Sequence, residues 1–109
     1  MREIYAAKVS DFDQSKKKRV VIDGVDVLIV QYQGAYYAVE NTCPHMGGSL
    51  YDGNLEDHYI TCPKHGSVFD VVNGDLHEPG KLLFFKVKPQ KLKSFPVKIV
   101  GDDLMVEME

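Results

Sequence analysis

Apolar residues recur along this chain at every second position or in short β-branched runs, with turn residues between them. Arg19–Ile22 and Val25–Tyr32 flank Asp23-Gly24, a two-residue hairpin signature. In the second run Val25, Val27 and Ile29 share one face, and Leu28, Val30 and Tyr32 share the other. Apolar residues on both faces predict a strand covered on both sides. Gln33-Gly34 then turns the chain into Ala35–Glu40. Tyr59–Thr61 reads as a short strand, and Ser67–Val72 as another that ends at the Asn73-Gly74 turn. Ser94–Val100 and Leu104–Met108 form a last pair, joined through Gly101-Asp102-Asp103. No stretch keeps a helical period over three turns, and no repeat or low-complexity linker divides the chain. The predicted fold is all-β, an antiparallel small barrel or sandwich.

Composition narrows the class of partner. A chain of 109 residues reads as a single domain, 1–109, able to bury a usable core. Its net charge of −3 argues against a nucleic-acid partner, which needs a basic face. No apolar run approaches the length of a membrane span. Met1-Arg2-Glu3-Ile4-Tyr5 lacks the apolar core of a signal peptide, so a cytoplasmic protein with no membrane contact is expected.

Chemistry concentrates in two loops. Cys43-Pro44-His45 is followed, after sixteen residues, by Cys62-Pro63-Lys64-His65, and these are the chain's two cysteines. One Cys and one His from each loop suit a [2Fe–2S] centre with thiolates on one iron and imidazoles on the other. Met46-Gly47-Gly48 and Gly66-Ser67 follow the histidines, and glycine lets main-chain N–H groups approach a ligand closely. Pro44 and Pro63 stiffen both loops. Two other readings of the same residues stand beside this one. A disulfide is disfavoured in a reducing compartment. Tetrahedral zinc in a binding module without redox role accepts two Cys and two His, but spaces its ligands two to four residues apart within a loop.

The motifs CPHMGG (43–48) and CPKHGSVFD (62–70) resemble those of the Rieske-type [2Fe-2S] ferredoxins, from Val20 to the C-terminal hairpin. The resemblance implies an antiparallel Rieske-type barrel with an inserted cluster-binding subdomain at about 42–80. It implies Cys43 and Cys62 on one iron and His45 and His65 on the other. Main-chain donors from Met46, Gly48, Lys64 and Ser67 would face the cluster sulfurs, with the Ser67 hydroxyl, and Pro79 would belong to a covering loop. Rieske proteins of respiratory cytochrome bc complexes carry a second, disulfide-forming cysteine in each loop, and a tyrosine bonded to a cysteine ligand. Gly48, Lys64 and Phe69 stand at those places, which predicts a low-potential member. The implied role is a one-electron carrier between a protein reductase and an oxygenase or related redox enzyme, not an enzyme itself. An alternative within the resemblance is a small subunit or partner of an assimilatory nitrite reductase.

Residues outside the motifs carry less. Lys16–Arg19 is a basic run read as a solvated loop, and His58 and His77 as ordinary surface or near-surface histidines. The segment 81–91 is longer than the resemblance leads one to expect. Its Leu83, Phe84 and Phe85, among lysines, read as an added strand or loop in the core, or as a docking ridge.

Overall fold

The computed structural model describes residues 2–44, 47–64, 66–78 and 91–108. Among them are eleven strands and two single 3₁₀ turns, Val9–Phe12 and Leu50–Asp52, with no α-helix. The strands are β1 (Arg2–Lys8), β2 (Lys17–Ile22), β3 (Val25–Tyr32), β4 (Ala35–Glu40), β5 (Asn54–Glu56), β6 (Tyr59–Thr61), β7 (Val68–Asp70), β8 (Leu76–Glu78), β9 (Ser94–Phe95), β10 (Val97–Val100) and β11 (Asp103–Met108). They form three antiparallel sheets, in the orders β1-β11-β10, β2-β3-β4-β9 and β5-β6-β7-β8.

The two-sided pattern of β3 organises the interior. Val27 and Ile29 enter one core with Phe12, Leu104, Val106 and Met108. Leu28 and Val30 enter a second core with Val39, Leu50, Ile60, Phe69, Val71, Leu92 and both cysteines. Both faces of β3 are therefore dry over 27–30, while Val25 at its start stays exposed. Each fully buried aliphatic or aromatic side chain contributes about 1.5–3 kcal/mol, and the second core ties the ligand loops to the central sheet. Asp23 (φ +52°) and Gly24 (φ +77°) both sit in the left-handed region, as the predicted two-residue hairpin requires.

Three strands escape the sequence pattern. In β1 only Ala7 is buried, and the register against β11 shifts between Tyr5 and Ala7, so no clean alternation shows. β5 and β8 have three residues each, too few to display a period. The predicted run Ser94–Val100 divides at Pro96. β9 pairs with β4, and β10 pairs with β11. Proline cannot donate to a ladder, so the chain changes sheets there.

Segment 91–93 re-enters beside the central sheet. The Leu92 N–H donates to the Gly74 carbonyl at 2.8 Å, and the Glu40 N–H to the Lys93 carbonyl at 2.9 Å. A Cβ on Gly74 would lie 2.2 Å from the Leu92 carbonyl oxygen, so this approach needs glycine. The reading of Leu83, Phe84 and Phe85 lies outside the described residues.

Candidate metal centre

Two loops of one design face the second core. In the first, the Cys43 N–H donates to the Gly48 carbonyl (2.8 Å) and the Gly47 N–H to the Cys43 carbonyl (3.0 Å). In the second, the Cys62 N–H donates to the Ser67 carbonyl (2.7 Å) and the Gly66 N–H to the Cys62 carbonyl (3.1 Å). Each cysteine thus bonds the residues four and five positions on. The residue four on is a glycine with positive φ in both loops, +70° at Gly47 and +79° at Gly66, a conformation that costs other residues strain. The flanks repeat as well, since Thr42 bridges Ser49 and Thr61 pairs with Val68.

Both thiols are inside. Cys43 is 2% and Cys62 1% exposed, and neither is in a disulfide. The loops touch. A Cβ on Gly48 would lie 2.7 Å from Lys64 Cγ and 3.6 Å from Cys62 Sγ. Glycine at 48 therefore lets the Lys64 stem cross the first loop beside the second loop's sulfur. Ser67 is buried at 1%. Predicted ligands His45 and His65, and Met46 and Pro79, lie outside the described residues.

Sequence reasoning missed what holds these loops. Lys16–Arg19 is not a solvated loop. Lys17, Lys18 and Arg19 lie in β2, and each of the four cations has a partner. Lys16 Nζ donates to Gln31 Oε1 at 2.9 Å, and Lys18 pairs with Asp11 at 3.4 Å. Lys17 Nζ donates to the carbonyls of Tyr51 and Gly53, the latter at 2.7 Å, and lies over the Tyr51 ring. Gly53 in turn packs on the strand leading to Cys62, where a Cβ would sit 1.8 Å from the Thr61 carbonyl oxygen. Arg19 grips Asp26 through both carboxylate oxygens, at 2.9 and 2.7 Å. This grip, assisted by an Asn41 hydrogen bond, holds the Asp26 carboxyl below the usual range despite partial burial.

His58 lies near the surface, as expected, but with partners the sequence did not show. Its Nδ1 lies 2.8 Å from Asp70 Oδ1. Its ring stands between Tyr32 (4.8 Å) and Tyr59 (4.1 Å), and Tyr59 continues to His77 at 4.4 Å. This row props β6 and β7 on the side away from the second core.

The Rieske [2Fe-2S] domain model matches residues 2–96. The chain belongs to that family. The ferredoxin component of the naphthalene 1,2-dioxygenase system of Pseudomonas putida is 32% identical over 105 residues, covering 96% of this chain and 94% of its own. The ferredoxin of carbazole 1,9a-dioxygenase from Nocardioides aromaticivorans IC177 shares the fold, with a TM-score of 0.85 over all of both chains at 21% identity. A chain from the complex of reduced oxygenase and oxidized ferredoxin in carbazole 1,9a-dioxygenase gives 0.80 at 25% identity, covering 95% of this chain and 100% of that one.

This Rieske protein carries electrons and does not itself catalyse a bond change, and its cofactor is one [2Fe-2S] cluster. The described residues fit that group. Two buried cysteines, neither in a disulfide, stand on matched loops in mutual contact, and a thiolate is the form that ligates iron.

Proposed function

We propose that Cys43 and Cys62 hold one iron and His45 and His65 the other. In this reading the main-chain N–H groups of Met46, Gly48, Lys64 and Ser67, with the Ser67 hydroxyl, face the cluster sulfurs, and Pro79 belongs to the loop above them. Residues of about 42–80 form the cluster-binding part of a single domain. The observation that carries the assignment is the repeated hydrogen-bond pattern of the two loops, each starting from a buried cysteine. When bound, the cluster supplies one reversible electron. The electron comes from a protein reductase and leaves to the oxygenase of a multicomponent system, as the likeness to the naphthalene dioxygenase ferredoxin supports. That neither cysteine is in a disulfide accords with a reducing cytoplasm.

Electron paramagnetic resonance of the anaerobically purified, dithionite-reduced protein tests the ligand set. The expected result is a rhombic signal with the low average g-value of mixed Cys/His ligation, lost in C43S and in H65A. Iron-free protein from iron-replete cells, or a signal unchanged in either variant, overturns it. Reoxidation of the reduced protein by a Rieske-type terminal oxygenase tests the acceptor, and its absence across several such oxygenases overturns that part alone.

A further inference from the structure

The two ligand loops share a backbone but not a mount. The second hangs from the β6–β7 ladder, which pairs Tyr59, Ile60 and Thr61 with Asp70, Phe69 and Val68. The first has, among the described residues, a single bridge at its base, Thr42 to Ser49. A lone bridge fixes little, and the chain beyond it leaves the sheet as a 3₁₀ turn.

What stands in for the missing ladder is Asn41, 0% exposed at the end of β4. Its main chain ties the returning arm of the loop to β3: the N–H donates to the Asp26 carbonyl at 2.8 Å, and the carbonyl accepts the Leu50 N–H at 2.8 Å. Its side chain repeats the tie. Oδ1 accepts the Tyr51 N–H at 2.8 Å. Nδ2 donates to Ser49 Oγ at 2.9 Å and to Asp26 Oδ2 at 3.2 Å. Asp26 is itself fixed by Arg19 on the neighbouring strand. A buried primary amide offers two N–H groups and a carbonyl, and each has a partner here. Asp26, with no donor to offer, sets which way the amide faces: the nitrogen points to the carboxylate, and the carbonyl is left for Tyr51.

We propose that Asn41 is the positioning residue of the first ligand loop, held in register by the Arg19–Asp26 pair and replacing the strand ladder that serves the second loop. The proposal rests on the ligand-loop reading above. It implies that cluster loss begins at the first loop when this network is cut.

The test uses the cluster-loaded protein and N41D. That substitution keeps an acceptor for the Tyr51 N–H but sets a carboxylate against Asp26, and like charges so placed repel. Amide hydrogen exchange is read at Leu50 and Tyr51, with Cys62 and Asp70 of the second mount as internal references. Losing both Nδ2 donations and setting two carboxylates together is expected to loosen this mount and speed exchange at Leu50 and Tyr51 about ten- to a hundredfold, leaving the references near wild type. The half-life of the cluster's visible absorption in a ferrous chelator should shorten with it. Adding D26N to N41D turns the donor and acceptor around and should recover both readouts in part.

Equal acceleration of all four amides, no acceleration at Leu50 and Tyr51, or an unchanged cluster half-life overturns the proposal. If N41D does not accumulate, S49A removes one partner of Nδ2 and should speed the same two amides severalfold; no change there also overturns it. If the wild type itself holds no iron, the ligand assignment fails, and the exchange pattern alone decides whether Asn41 holds the loop.

Discussion

At the scale of single residues, the site separates groups that shape the loops from groups that face the cofactor. Ser67 belongs to both. Its carbonyl accepts the Cys62 N–H, and the proposed role of its hydroxyl is to donate toward a cluster sulfur. S67A keeps the first and removes the second. Donation to sulfur favours the reduced, more negative form. One neutral hydrogen bond is worth about 1 kcal/mol, or roughly 40 mV for a one-electron couple. S67A should therefore lower the potential by about that amount with its resonance signal retained; redox titration checks it, and an unmoved potential removes the hydroxyl from the assignment. Asp26 gives a pH test. Its carboxyl is held low, first by the hydrogen bonds from Arg19. The stabilisation is therefore present above the usual aspartate range and lost as pH falls below about 4. Wild type should unfold at higher urea concentration than D26N at pH 7, and the gap should narrow near pH 3.

At the scale of elements, β2 is the strand whose role the sequence hid. Its basic residues read as a solvated run because charge alone does not show where a lysine points. The structure spends Lys17 on two carbonyls in the turn after the first ligand loop, and Gly53 in that turn meets the carbonyl just before Cys62. K17M keeps most of the stem and removes the donor, leaving the Tyr51 and Gly53 carbonyls short of a partner. It should destabilise the fold by about 1–3 kcal/mol in denaturant titration; a change under a few tenths would mean that water replaces the ammonium without loss. The hairpins and the two-faced strand were legible because β-branched alternation and Asp-Gly or Asn-Gly turns are local signals. Asn41 was not. An asparagine two residues before a cysteine looks like any loop residue, and its partners Asp26 and Tyr51 come together only through tertiary pairing. The same holds for β1, β5 and β8, whose strand character comes from the neighbours they pair with.

At the scale of the molecule, the Cys/His motifs alone made the cofactor legible, because that ligand spacing has few other uses, while the means of bracing it waited for the fold. This chain braces its loops without a cross-link. Gly48 and Lys64, where the disulfide-forming relatives carry cysteines, are in contact, and the space is filled by a lysine stem. Phe69, where those relatives carry tyrosine, is wholly buried in the core that also holds both cysteines. With neither a tyrosine hydroxyl nor a disulfide beside the ligands, less stabilises the reduced form, and net charge of −3 opposes a further electron weakly. The potential should fall in the lower part of the Rieske range of about −150 to +300 mV. F69Y separates this cause from solvent exposure, which it leaves alone. A buried tyrosine hydroxyl seeks an acceptor, and a cysteine sulfur is the one the resemblance supplies. The variant should titrate at a potential higher by roughly 40 mV, the worth of one hydrogen bond. If wild type titrates well above about +100 mV, or F69Y keeps its cluster with no rise, the missing hydroxyl is not what sets the potential, and the dryness of the second core around the sulfurs becomes the cause to test.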